Sequence, residues 1–191
     1  LNKIMKKAET TKDKDAVAEV SVLTKAKENL EKNIPLRLVD FSEEEKMLMK
    51  NFSFITLKPL IYVANVLEDD VVVGENNYTK LVSEYAAKEQ AGVIVMCCKM
   101  ESELSELNDD DKKLFLQELG INSSGLDRLI FATYSLLGLE TFFTAGPDEC
   151  RAWTFKRGAN AKSCAGLIHS DIERGFIKAE VMSFDDLYQY K

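Results

Sequence analysis

The 191 residues are 46% hydrophobic and 30% charged with a net charge of -7, the composition of an ordinary globular protein of one or two domains with a sizeable core. The acidic balance argues against a protein that wraps a polyanion along its length, so any RNA contact must be local. No apolar run approaches the roughly 20 residues that span a bilayer, and the basic, then polar start is unlike a signal peptide, so no membrane partner is expected and a cytosolic location is the default. The chain begins at Leu1 rather than Met and stops at Lys191 just after an acidic, aromatic run, and it reads as a piece of something longer. Its four cysteines, Cys97, Cys98, Cys150 and Cys164, match no CxxC spacing and read as buried, reduced thiols.

Residues 1–32 lack proline and glycine, and Val17, Val20, Leu23, Lys27 and Leu30 recur at three- and four-residue spacing, which predicts amphipathic helix. The polar stretch 9–15 has no apolar anchor and predicts the turn of an antiparallel helical hairpin. Ser42 followed three residues later by Glu45 is a capping-box pattern that starts a helix near Glu43 and ends it before Ser53. The apolar run 60–66 reads as a strand buried on both faces. A helix over 78–90, a second apolar run over 92–98, and helices over 110–119 and 126–137 follow, an alternation that signals half of a βαβ layer. Two such strands leave exposed edges and an uncovered face. Beyond Gly138, residues 141–144 and 151–155 flank Gly146-Pro147 and predict a β-hairpin. A helix over 159–168 and a strand over 176–181 then make a small α+β arrangement.

In α/β sheets ligands bind outside the carboxyl ends of the strands, which singles out the strings Asn65-Val66-Leu67-Glu68 and Cys97-Cys98-Lys99-Met100-Glu101. P-loop GTPases place an NKxD motif at the first position, whose Asp accepts from guanine. Here Val replaces Lys and Glu replaces Asp, which removes the stem that packs over the base and moves the carboxylate out of guanine register. The Asn65 amide and the Val66 backbone match the donor and acceptor of an adenine edge. By itself the four-residue NxxE is weak and reads first as Asn65 capping a loop beside a solvated Glu68.

None of the nine glycines lies in GxxxxGK[ST], so these residues include no phosphate nest, no phosphate-binding lysine and no magnesium-binding hydroxyl of that type, and on their own are expected not to hydrolyse ATP. His169 lacks a nucleophile to work with and reads as a ring hydrogen-bonded inside the fold. Trp153 and Phe155, alternating on a strand, read as core and surface of the hairpin rather than as base-stacking platforms. Lys156, Arg157 and Lys162 form a basic cluster near glycine, either a solvated turn or a candidate RNA contact.

The strings at 125–130, 137–147, 151–154, 165–171 and 175–181, among them Gly138-Leu139-Glu140-Thr141-Phe142-Phe143-Thr144-Ala145-Gly146-Pro147 and Arg151-Ala152-Trp153-Thr154, closely resemble the distal part of the YchF (Obg-like) P-loop ATPases, over essentially the whole chain. The resemblance implies a helical, coiled-coil-like insertion at 1–50, the C-terminal part of a P-loop α/β domain at 51–139, and a TGS (β-grasp-like, α+β) domain at 140–191 that lacks a final stretch. It places Asn65, Val66 and Glu68 at the NxxE positions, and Cys98, Lys99 and Glu101 in the loop analogous to the SAK motif, with Cys98 where many relatives have alanine. It also implies ATP preferred over GTP, and a phosphate-binding loop, magnesium ligands and catalytic residue upstream of Leu1, leaving none of the catalytic residues and no metal site within the chain. The leading expectation is therefore a translation-linked ATPase acting with magnesium in its complete form. The alternative is an RNA- or ribosome-binding module with nucleotide as a regulatory ligand.

Overall fold

The computed structural model describes Met5, residues 14–147 and residues 149–189. The first arm of the expected helical hairpin and most of its turn lie outside the described residues. The chain divides into two compact units, Leu1–Leu129 and Ile130–Lys191.

The first unit opens with α1, Lys14–Glu31. The side that packs is Val22, Leu23 and Ala26, whereas Val17 and Leu30 stay exposed. Helix α2, Glu43–Met49, starts where the sequence places it: the Ser42 hydroxyl accepts from the Glu45 N–H and the Glu45 carboxylate accepts from the Ser42 N–H. Such a cap contributes about 1 kcal/mol. Lys25 of α1 donates to the same Glu45 carboxylate, 3.1 Å away. The Ser42 backbone and then Lys25 hold that carboxyl below its ordinary range. The helix tightens into a 3-10 turn, Lys50–Phe52, and stops at Ser53, whose φ of 49° is left-handed. Val22, Ala26, Leu36, Phe41 and Met49 form one apolar core, with Phe54 and Leu57 against it.

Strands β1, Ile61–Asn65, and β2, Gly92–Met96, pair in parallel from Ile61↔Gly92 to Asn65↔Met96. Between them run α3, Glu68–Val73, and α4, Asn77–Lys88, the latter capped by Asn76. The strand over 60–66 was expected to be buried on both faces, but Val63 is 43% exposed, while β2 buries Ile94 and Met96. Among the described residues β1 has β2 as its single neighbour, and side chains facing away from the helices meet no second layer. Helices α5, Cys98–Ser105, and α6, Asp109–Glu118, follow. With Val71 and Cys97 they build a second core of Met100, Leu104 and Leu116. Helix α7, Gly125–Leu136, crosses the division between the units.

A polar clasp lies between the helical segment and the strand layer. Arg37 reaches Glu89, just past α4, at 2.7 Å, with side chains only 17% and 11% exposed. Glu89 also accepts from the hydroxyls of Tyr62, at 2.7 Å, and Tyr85, at 3.2 Å. The Arg37 guanidinium first, then the Tyr62 hydroxyl, holds the Glu89 carboxyl below its ordinary range, and the bond to Glu89 raises the Tyr62 phenol. A carboxyl whose folded-state pKa is depressed stabilises the fold above its unfolded-state value, and that contribution disappears as pH falls through the folded-state value. The fold is thus expected to weaken on acidification below about pH 4.5, the ordinary glutamate value. In thermal melts between pH 7 and pH 3, Glu89→Gln should flatten part of this acid limb, and an unchanged limb would refute the assignment.

In the second unit β3, Leu139–Ala145, and β4, Cys150–Lys156, form an antiparallel hairpin with Phe142 opposite Trp153. The Trp153 indole N–H donates to the Thr144 hydroxyl at 2.9 Å, and the Arg151 guanidinium lies over its ring. Trp153 and Phe155 share one half-buried face, as residues two apart on a strand must, rather than dividing into core and surface. Helices α8, Ala161–Ile168, α9, Ser170–Arg174, and α10, Phe184–Gln189, complete the unit. The strand expected over 176–181 does not form. Ile177 is 91% and Val181 87% exposed, and a strand draws its stability from a ladder and cross-strand packing that this segment does not have.

Two side-chain expectations are also corrected. His169 is not internal: it is largely exposed, and its Nδ1 accepts from the Asp171 N–H to cap α9. Of the cysteines, all free, Cys97 alone is buried, Cys164 is intermediate, and Cys98 and Cys150 are exposed. The first of these exposed thiols opens α5 at a loop mouth, and the second begins a hairpin strand whose outer face is uncovered.

Candidate functional site

Because β1 and β2 are parallel and in register at Asn65↔Met96, both chains leave the sheet at the same end and their following loops lie side by side. Each loop turns at once into a helix, α3 or α5. Val66 makes the crossing rigid: its N–H donates to the Met96 carbonyl at 3.0 Å, and its side chain packs against the core around Met100.

Two further bonds tie the loops. The Asn65 Oδ1 accepts from the Cys98 N–H at 3.0 Å, which leaves the Asn65 NH2 as a donor at the exposed mouth. Lys99 donates to Glu68 at 3.2 Å and lies 3.6 Å from Glu103. Glu68 first, then Glu103, raises the Lys99 ammonium above its ordinary value. Lys99 is therefore a fully charged bridge between the loops. The Glu68 carboxylate is already engaged by it, whereas the Val66 carbonyl remains an acceptor beside the Asn65 donor.

Glu101 turns the other way. Its carboxylate accepts from the Gly125 N–H at 2.6 Å and the Leu126 N–H at 3.2 Å, an acidic cap on the positive end of α7. Arg128, one turn later, donates to the Val95 carbonyl at 2.9 Å. Five of the six expected base-site residues thus gather at the mouth, and Glu101 serves as the buttress behind it. Sequence reasoning missed Arg128 and the cap, whose sole signal was the Ser124-Gly125 helix start. Leu67, between Asn65 and Glu68, is 74% exposed at this mouth, and the alternation of NxxE alone gave no reason to single it out.

The donor and acceptor pair suits the edge of a nucleotide base. It does not suit phosphates, since the ammonium at the mouth is neutralised by Glu68 and Glu103. Among the described residues no group of three or more His, Cys, Asp and Glu side chains is placed to hold a metal ion, and no helix is long and apolar enough to cross a membrane. Of the basic cluster, Arg157 is paired with Glu140 at 2.9 Å, while Lys156 and Lys162 are exposed.

A family model described as YchF-GTPase_C, protein of unknown function (DUF933), matches residues 139–191. The chain is 56% identical over 178 residues to the Ribosome-binding ATPase YchF of Bacillus subtilis, covering 92% of this chain and 48% of that protein. With the Escherichia coli O157:H7 protein of the same name the identity is 47% over 192 residues, covering 100% of this chain and 52% of the relative. The chain belongs to the YchF (Obg-like) family. It spans about half the length of these curated relatives. The similarity extends to Obg-like ATPase 1 of Xenopus laevis, 38% identical over 97% of this chain and 48% of that one. The fold agrees: the Schizosaccharomyces pombe YchF GTPase superimposes with a TM-score of 0.78 at 29% identity, over 92% of this chain and 47% of that structure. The mixed α/β architecture with two small sheets is thus that of the corresponding half of a YchF protein.

Proposed function

We propose that this chain carries the base-reading loops of a P-loop ATPase, binding the adenine of ATP between Asn65-Val66-Leu67-Glu68 and Cys98-Lys99, with GTP as a weaker second nucleotide. The observation that carries the reading is the pair of cross-loop bonds, Asn65 to Cys98 and Lys99 to Glu68. They fix the donor of Asn65 and the carbonyl of Val66 where an adenine edge presents an acceptor nitrogen and an exocyclic amine. With Glu68 held by Lys99, the carboxylate that would read guanine is occupied. The names of the relatives, ribosome-binding ATPases, agree with this chemistry.

When bound, ATP and magnesium supply the reactive phosphates and their charge neutralisation. The residues here orient the base and shield one face of it, and Glu101 and Arg128 hold the loops from behind. Phosphate and magnesium contacts, with the catalytic residue, belong to the other half of the complete protein, and these 191 residues alone are expected to turn over no ATP. In this reading residues 1–50 are a helical insertion, 51–139 the distal part of the P-loop domain, and 140–191 a TGS domain of β-grasp type. The protein works in the cytoplasm at the ribosome. Lys156 and Lys162 are exposed, which favours a second reading of the C-terminal unit as an RNA contact, with Arg157 released from Glu140 on binding.

Calorimetry of the complete protein with ATP and GTP tests the first reading. Asn65→Leu should weaken ATP by at least about tenfold, the ~1.4 kcal/mol expected for a lost hydrogen bond in a polar site. Glu68→Asp should shorten the reach to Lys99 and narrow the gap between ATP and GTP. Unchanged affinities and selectivity in both variants would hand the assignment to the RNA- or ribosome-binding module with nucleotide as regulator. Val66→Lys is unsuitable, because that side chain packs on the core.

A further inference from the structure

The cores of the first unit do not share a residue. One gathers Val22, Ala26, Leu36, Phe41 and Met49 beneath the helical segment, and the other gathers Val71, Cys97, Met100, Leu104 and Leu116 beneath the loop mouth. Between them stands the clasp of Arg37, Glu89, Tyr62 and Tyr85. Arg37 follows Leu36, which is fully buried in the first core. Its other guanidinium arm reaches the Thr56 carbonyl at 3.5 Å, while its Nε is buried with no hydrogen-bond partner. Tyr62 sits on β1 three residues before Asn65, and its ring also packs edge-on against Tyr85 of α4.

We propose that Arg37 is a positioning residue for the nucleotide-base loops: through Glu89 and Tyr62 it couples the placement of the helical segment to that of Asn65 at the end of β1. The base-reading part of this statement rests on the function proposed above. Beside its backbone ladder to β2, β1 is held along its length by side-chain anchors. Tyr62 is such an anchor, and Glu89 holds it to Arg37. Removing either charge leaves the other largely shielded and without its ion-pair partner, so losing either undoes the same link. A displacement of the helical segment, for example when a partner grips it, pulls on Arg37 and shifts β1. The Asn65 to Cys98 bond then lengthens, and the donor presented to the base moves with it.

Amide exchange of the complete protein, followed by mass spectrometry, tests this with Arg37→Gln, Glu89→Gln, their double variant and Tyr62→Phe. Exchange over 61–68 and 97–101 is expected to rise roughly tenfold, a decade in the local opening constant, in each single variant. The double variant should show no further rise, as one shared interaction requires. Tyr62→Phe keeps the ring packed and removes only the hydroxyl, so it should loosen 61–68 without disturbing 36–57. Arg37→Lys, which keeps the charge, should restore part of the protection. Exchange that rises only over 36–57 in the Arg37 variant, or a Tyr62→Phe variant identical to wild type, would overturn the proposal. Calorimetry on the same samples separates this from the function itself. If wild type binds ATP and the Arg37 variant binds it equally well with 61–68 undisturbed, the coupling is wrong and the base reading stands. If exchange responds as expected but wild type does not bind ATP, the coupling stands and the base reading fails.

Discussion

Met100→Ala should destabilise the protein by about 2–5 kcal/mol, the range for emptying a fully buried methionine site. Met100 is 1% exposed and packs with Leu104 one turn on, both against Val71, Cys97 and Leu116. It is the anchor that lets its two predecessors stay out: Cys98 and Lys99 face solvent at the mouth because Met100 pins the first turn of α5 to the core. The cavity cannot close by local collapse, since β2 runs into this turn and Leu116 is held by another helix. Besides the lower urea midpoint, weaker protection of the Cys98 amide is expected, as its bond to Asn65 depends on that turn. Met100→Leu conserves most of the volume and should cost less than about 1.5 kcal/mol. Equal losses for both variants would mean that packing at this point is not specific.

The second large effect should come from Gly125→Ala, which alanine's better helix propensity, worth about 1 kcal/mol, would make stabilising on a free helix. Here a Cβ would stand 2.6 Å from the Met96 Cβ and 2.8 Å from the Glu101 Oε1. Glu101 could swing away, but the Met96 Cβ is fixed to the backbone of β2, so the start of α7 must move. That movement breaks the 2.6 Å bond from the Gly125 N–H to Glu101. The net change is expected to be a loss of about 1–3 kcal/mol by overpacking, read as a lower denaturation midpoint. Because Glu101 and Gly125 share the contact, adding Glu101→Ala should cost less than the sum of the two single changes. A neutral or stabilising Gly125→Ala would show that the helix start has room to shift.

These two sites show where reading the sequence reached and where it stopped. The capping box at Ser42 and Glu45, the parallel pair of apolar runs, the helices over 78–90, 110–119 and 126–137, and the hairpin around Gly146-Pro147 were legible, because each depends on neighbours within about four residues or on a period of two or 3.6. The short helices Glu68–Val73 and Cys98–Ser105, which open directly off the strands, were not. The places of Asn65, Val66, Glu68, Cys98 and Lys99 were legible too, since loops at the carboxyl ends of parallel strands must meet. The strand over 176–181 was not, because its apolar residues fit a strand equally well with or without a partner, and pairing is a property of the sheet.

The sequence by itself determined most of the elements and the residues at the mouth, through local hydrogen bonding and periodic burial. Only the tertiary structure decided what those residues do to each other. It turned Glu101 from the mouth to the start of α7, 24 residues on, and joined Arg37 to Glu89 across 52. It also neutralised Lys99 against Glu68 and left His169 and two cysteines exposed. The physical reason is common to all of them: a charge or polar group takes whichever partner the packed backbone brings within about 3 Å, and separation along the chain says nothing about that distance.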